Sequence, residues 1–250
     1  RVQAQTCDAP VALCVRSADD VPALFSCEFP LEQSLDGVDV HVCTREAIPY
    51  LWPLPSDDCV PTSIVFYIDG GGAAGQSASA WSVAAFHIFN DERWCFRGFF
   101  TSAVATDPEH GQFVGVRRAT GGGAELSAQI WAAAYVLSCC GSLSSVSVEV
   151  RFDSHVAASI AQVGAESKVH PVAGAVATAL WTVAGQTREI SLRHVSAHRG
   201  EPWNELADVI AKAAIDAPSS CTSRSAPACM WTTYPVDTIR LLYLLFIPDH

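Results

Sequence analysis

Ile64-Val65-Phe66-Tyr67-Ile68-Asp69-Gly70-Gly71-Gly72 is the stretch from which the fold can be read. An unbroken apolar, β-branched and aromatic run, too short for a helix and closed by glycines, predicts a buried strand over Ile64–Ile68. Asp69 stands at the carboxyl end of that strand. A second run, Val146–Phe152, ends the same way, in Asp153-Ser154. Between them lies Ala124–Leu137, rich in Ala and Leu and stopped at Gly141, which reads as a helix. Strand, helix and strand in that order form a crossover unit. If the two strands are parallel neighbours, both aspartates emerge at one sheet edge, where open α/β sheets place their ligands.

Working outward, Trp81–Phe89 and Trp94–Phe100 flank the turn signal Asn90-Asp91 and predict a hairpin. A further short strand is expected around Gln112–Val116. His155–Val163 and Val172–Val183 read as helices and Glu189–Val195 as a strand. Trp203–Ile215 reads as a last helix, stopped by Pro218. An antiparallel opening followed by helical crossovers predicts an α/β domain: one mixed sheet with helices on its faces. The domain is expected over residues 61–217. Residues 1–60, mixing Pro, Asp and Cys without a sustained period, read as an irregular acidic connector, and 218–250 as a tail.

Half of the 250 residues are hydrophobic and only 16% are charged, which excludes a disordered chain. The net charge is −11, with the acidic excess concentrated in residues 1–60. Nucleic-acid binding through bulk electrostatics is therefore not expected. Any such affinity would come from metal ions and local cations such as Arg117, Arg118, Arg193 and Arg199. Of the ten cysteines, Cys7, Cys14, Cys27, Cys43 and Cys59 are never within four residues of each other, and Cys139 and Cys140 are adjacent. Neither spacing suits a zinc site or a disulfide scaffold, so free, mostly buried thiols in a reducing compartment are expected. An intracellular location, cytoplasmic or nuclear, follows as an expectation. No stretch reaches the roughly 18 apolar residues of a membrane span.

Glu125 opens the crossover helix after Gly121-Gly122-Gly123 and can lean over the edge that carries Asp69 and Asp153. Converging carboxylates repel unless they share cations, and oxygen-only ligands suit Mg²⁺ or Mn²⁺. On the last helix, Trp203, Leu206, Ala207, Ile210 and Ala214 form one apolar stripe. Asp208 falls at its edge, on the flank of Asn204. His198 precedes this helix in a loop loosened by Gly200. Each has a plainer reading: strand-ending turns for the aspartates, a favourable helix dipole for Glu125, and an i,i+4 pair with Lys212 for Asp208. Order and spacing together favour chemistry.

That ordered pattern resembles type 1 ribonuclease H. Phe66–Gly71 (FYIDGG), Ala124–Leu126 (AEL), Phe152–Ser154 (FDS) and His194–Ala214 (HVSAHRGEPWNELADVIAKAA) are similar to that family's four motifs, the last being the most specific. The resemblance covers about residues 61–217. It implies a ribonuclease H-like mixed five-stranded sheet flanked by helices, and an endonuclease that cuts the RNA strand of RNA–DNA hybrids with two Mg²⁺ ions, Mn²⁺ being an alternative. Asp69 would bridge both ions, with Glu125 and Asp153 completing one site and Asp208 the other. His198 would carry a proton. Substrate contacts are expected from Gly70, Gly122, Gly123, Ser154, His155 and Asn204.

The chain departs from the family's pattern at three places. Glycines stand where Asn or Gln commonly precedes the catalytic Glu, and His155 stands where an amide is commoner. No Lys- or Arg-rich insert lies between Lys168 and Gly185. Retroelement domains also lack that basic handle and work beside a reverse transcriptase. A retroelement polyprotein, beginning upstream of Arg1, is the expected source. The alternatives are a catalytically silent nucleic-acid-binding scaffold of this fold, and another nuclease or transposase of the superfamily.

Overall fold

The apolar run around Ile64 is the middle strand of the sheet. In the computed structural model, which describes residues 31–55, 59–72, 78–110, 112–138 and 146–216, the elements in chain order are α1 (Val42–Ala47), a 3₁₀ turn (Ile48–Tyr50), β1 (Ser63–Gly72), β2 (Ser79–Ile88), β3 (Trp94–Ala103), α2 (Gly121–Ser138), β4 (Ser147–Phe152), α3 (His155–Val163), α4 (Pro171–Thr187), β5 (Ile190–His194) and α5 (Pro202–Asp216). The sheet runs β3-β2-β1-β4-β5. β1 pairs antiparallel with β2 and parallel with β4, and β4 pairs parallel with β5. The mixed five-stranded sheet flanked by helices is as the sequence leads one to expect.

Alternation of side chains sends successive residues of β1 to opposite faces of the sheet. Ile64, Phe66 and Ile68 join Trp81, Trp131, Phe100 and the apolar faces of α2, α3 and α4 in the larger core. Trp81 and Trp131 stack there at 5.3 Å and 8°. Trp181 caps that core polarly, its indole N–H donating to Gln129 at 3.0 Å. Val65 and Tyr67 face the other way, onto Leu206, Ala207 and Ile210 of α5. The sheet is therefore buried on both faces, which explains why β1 and β2 are apolar without alternation.

Residues 31–55 are more ordered than an irregular connector. α1 and the 3₁₀ turn lie here, and Leu35, Val38, Val40 and Leu51 pack with the α5 core. The Thr44 hydroxyl donates to the Pro202 carbonyl at 2.6 Å. Glu32 pairs with Phe99 through two backbone hydrogen bonds of 2.9 Å, covering part of the β3 edge. Gly98 makes this possible: its φ is +135°, and a Cβ there would stand 2.8 Å from the Glu32 carbonyl oxygen. Pattern analysis misses this segment because a six-residue helix and a one-residue bridge carry no periodicity of their own.

The strand expected at Gln112–Val116 is absent. Phe113, Val114 and Val116 are buried, yet they cross the core as irregular chain. Gly115 takes φ +92°, with α4 backbone and Val172 so close that no side chain fits. Of the described cysteines, Cys43 and Cys95 are free thiols; Cys95 is buried and Cys59 exposed. Cys7, Cys14, Cys27, Cys139, Cys140, the stop at Gly141, residues 1–30 and the 218–250 tail lie outside the described residues. Among the described residues no helix is long and apolar enough to cross a membrane.

Candidate active site

Register brings the first two carboxylates together. β1 and β4 pair in parallel from Ser63 with Ser147 to Tyr67 with Arg151. Asp69 and Asp153 each lie two residues beyond that last pair, so they occupy equivalent positions at the carboxyl edge. β1 continues past this point against β2 alone, with Asp69 opposite Ser82. Asp69 shares the parity of Val65 and Tyr67 and therefore faces α5, with only 5% of its surface exposed.

Gly70 has the other parity and faces α2. A Cβ on it would lie 2.1 Å from the Glu125 nitrogen and 2.4 Å from the Ala124 carbonyl carbon. The first turn of α2 thus rests directly on the bare backbone of β1. This contact is what sets Glu125 beside Asp69. Thr120 caps the same turn: its hydroxyl accepts the Gly123 N–H at 3.1 Å and lies 2.8 Å from His170 Nε2.

Asp208 arrives from α5. Ser82, opposite Asp69, donates its buried hydroxyl to the Ala207 carbonyl at 2.6 Å, fixing the helix one residue before Asp208. Lys212 Nζ lies 2.6 Å from Asp208 Oδ2, so the i,i+4 pair read from the sequence does form, inside the site. His198 holds a left-handed φ of +50° and exposes 68% of its side chain. Asp69, Gly70, Glu125, Asp153, His198, Asp208 and Lys212 line one cleft of about 550 Å³. Ligand atoms of Asp69, Glu125 and Asp153 lie within 4.8 Å of one another.

The expected substrate contacts are divided. Gly70 lines the cleft, but it does so as a packing position. Gly123 is turned inward, its would-be Cβ 2.7 Å from Val116, with its N–H spent on Thr120 and its carbonyl on Ser127. Gly122 is exposed with open space around it. Ser154 caps α3, accepting the Ala157 N–H. Asn204 is buried, its amide 3.5 Å from Asp153 Oδ2, and so faces a carboxylate of the site. His155 is exposed and stacks on His194 at 3.7 Å. Sequence reasoning missed Ser82 and Glu205. A serine inside the apolar run Trp81–Phe86 was the available signal for the first. For the second the signal was the closing motif itself, in which Glu205 stands next to Asn204 and three residues before Asp208.

Burial raises Asp69, and the charges of Asp153 and Asp208 add to it. Burial likewise raises Glu125, reinforced by Asp69 and Asp153. Glu125 Oε2 is buried without a hydrogen-bond partner. Crowded, desolvated, oxygen-only donors with an orphaned carboxylate oxygen fit a hard divalent cation such as Mg²⁺.

A pH dependence follows. In the unfolded chain these carboxylates ionise in the ordinary range; folded, they hold their protons up to about 7 for Asp69 and about 9 for Glu125. The folded state then binds more protons across that window, so metal-free stability falls as pH rises through it. Melting in EDTA should drop steadily from pH 5 to pH 9. Added Mg²⁺ should restore several degrees at pH 9 and little at pH 5, because cation and proton compete. Equal Mg²⁺ shifts at both pH values would contradict this.

No protein-family model matches the chain. No curated protein matches it in sequence. Among solved structures it is similar to the N-terminal RNase H domain of a Mycobacterium tuberculosis protein, at 21% identity over 64% of this chain and 97% of that one, with a TM-score of 0.44. It is similar to RNase H1 of the halophilic archaeon Halobacterium salinarum at 19% identity, 62% and 98% coverage and a TM-score of 0.41. For a compost metagenomic RNase H1, LC11, in complex with an RNA/DNA hybrid, the values are 17%, 62% and 99%, and 0.46.

Proposed function

We propose that this chain is a divalent-metal-dependent endonuclease of the type 1 ribonuclease H kind, hydrolysing the RNA strand of RNA–DNA hybrids. The observation that carries the reading is the convergence of Asp69, Glu125, Asp153 and Asp208, from two strands and two helices, on one open cleft. Nothing in folding stability rewards that convergence, since gathering buried carboxylates costs free energy unless cations lie between them. A scaffold would have no use for it.

Asp69 is central to the set and would face both ions, with Glu125 and Asp153 on one and Asp208 on the other. When bound, such ions lower the pKa of a water and stabilise charge on a phosphate ester. The chain's own work is to hold the donors. Gly70 admits Glu125, the β1–β4 register aligns Asp69 with Asp153, and Ser82 fixes Asp208. Asn204 and Ser154 steady the Asp153 turn. His198, on an exposed turn at the cleft, is placed to pass a proton to or from the reacting groups.

The test is a hybrid duplex carrying distinguishable 5′ labels on its RNA and DNA strands, incubated with the full chain and Mg²⁺. The RNA should be cut internally and the DNA left intact. DNA cleavage would move the assignment to another nuclease of the superfamily. Binding without cleavage would leave a silent scaffold.

A further inference from the structure

Tyr67 carries a hydroxyl that filling the core does not require. Its ring is fully buried in the core beneath α5, edge-on to Phe86 at 5.8 Å, where a phenylalanine would occupy the same space. A phenol oxygen in such a place needs partners, and this one has two. It donates to Glu201 Oε1 at 2.7 Å and accepts from the Arg151 guanidinium. Arg151 is the register partner of Tyr67 on the parallel strand β4. Its Nε donates to Glu149 Oε1 at 2.6 Å, and its guanidinium carbon lies 5.2 Å from the ring centroids of both Tyr67 and Trp94. The guanidinium is thereby fixed, and the phenol oxygen with it. This chain of bonds stands on β1 and β4 except at its last member, Glu201, which comes from the loop before α5.

That loop carries His198. It leaves the sheet at Val195, whose N–H donates to the Phe152 carbonyl at 2.8 Å, and then turns through His198 at φ +50° and Gly200 at φ +76°. A left-handed residue other than glycine persists only where its surroundings hold it. Packing does not hold His198, whose side chain is 68% exposed. The hold must come from the ends of the loop, and Glu201 is three residues away. We infer that Tyr67 is a positioning residue for the proposed cleavage: through Glu201 its hydroxyl ties the loop to the sheet and so sets the His198 imidazole at the cleft. What the imidazole does there rests on the nuclease reading above; the anchor itself does not. The hydroxyl also keeps two charges apart. Arg151 NH1 is 4.0 Å from Glu201 Oε1, beyond hydrogen-bond range. Without the hydroxyl the pair can close by about an ångström and draw the loop with it. A catalytic group displaced that far typically loses about 10²-fold in rate.

The test compares Tyr67→Phe, Glu201→Ala and Glu201→Gln in the full chain, with Mg²⁺ and the labelled hybrid. Tyr67→Phe should lower kcat at least about ten-fold and leave KM and the half-saturating Mg²⁺ concentration within about two-fold. Glu201→Ala should do the same. Glu201→Gln, which still accepts the phenol proton, should keep most of the rate. With His198→Ala already in place, Tyr67→Phe should change kcat by less than about two-fold, because the anchor acts through that imidazole. A second readout needs no cleavage. The Gly200 amide, bonded to Glu205, should exchange with solvent at least about ten-fold faster in Tyr67→Phe, and the Ala211 amide within α5 at the wild-type rate. A Gly200 amide that exchanges as in wild type, a kcat within about two-fold of wild type, a loss that adds in full to that of His198→Ala, or a shifted Mg²⁺ requirement would overturn the inference. Wild-type hybrid cleavage with Gly200 unmoved in Tyr67→Phe would sink the anchor and spare the nuclease. A wild type that cuts nothing, with Gly200 released in Tyr67→Phe, would do the reverse.

Discussion

Asp69→Asn is expected to abolish hybrid cleavage while making the metal-free protein harder to unfold. The first half follows from geometry. Asp69 is the most buried of the four carboxylates, and Asp153 and Asp208 both oppose its ionisation, as they oppose that of Glu125. An amide of the same shape keeps the packing and removes the charge that draws cations. Losing several kcal/mol of electrostatic stabilisation at the reacting centre corresponds to a fall of at least about 10³-fold in rate. The second half follows from the same numbers with the opposite sign. At pH 8 the folded protein carries a desolvated charge at Asp69 that the unfolded chain carries at no cost. Removing it should raise stability by roughly 1–3 kcal/mol, less whatever the Gly70 N–H bond to the carboxylate contributes. The gain should vanish below about pH 3, where the carboxyl is protonated in both states. Cleavage of a labelled duplex and urea unfolding in EDTA measure the two halves. A variant that cleaves within ten-fold of wild type, or unfolds more easily at pH 8, would contradict the account.

Gly70→Ala should cost both activity and stability, although it touches no catalytic atom. The added methyl would sit 2.1 Å from the Glu125 nitrogen and 2.6 Å from its Cα. These are backbone atoms of a packed helix, so relief requires α2 to lift from β1 by about an ångström or more. Displacements of that size at a catalytic group typically cost about 10²-fold in rate. Forcing apart a close-packed helix and strand typically costs about 1–3 kcal/mol. Substitution at Gly71 is the internal control, because its Cβ would meet only side-chain carbons of Ala211 and Ile215, near 4 Å. Gly71→Ala should retain most of both properties. Similar losses at the two positions would show that glycine flexibility matters here and that helix contact does not.

Much of the site was legible before any coordinates. A buried strand must end somewhere, and a carboxylate at its end is conspicuous against the apolar run before it; Asp69 and Asp153 stand out for that reason. Glu125 follows because α2 is a strong helix with glycines before it, and Asp208 because the α5 stripe has a definite edge. Other features were illegible. Ser82 is one polar residue in an apolar run until Ala207 is set against it. Gly123 looks like an open backbone position until Val116 and Thr120 close on it. Phe113, Val114 and Val116 have strand-like composition, yet the strand positions beside β1 are taken by β2 and β4.

Local patterning by itself determined the five strands of the sheet and four of the five helices, that the class is α/β, and which acidic residues stand where chemistry is possible. Those properties arise from spacing along the chain, where a run of apolar side chains commits its neighbours whatever lies far away. Only the tertiary structure decided that α2 rests on Gly70, that residues 31–55 pack on α5, and that Glu201 meets Tyr67. These are contacts between residues distant in sequence or set by the turn of a loop. Their energies depend on interatomic distances that no periodicity encodes.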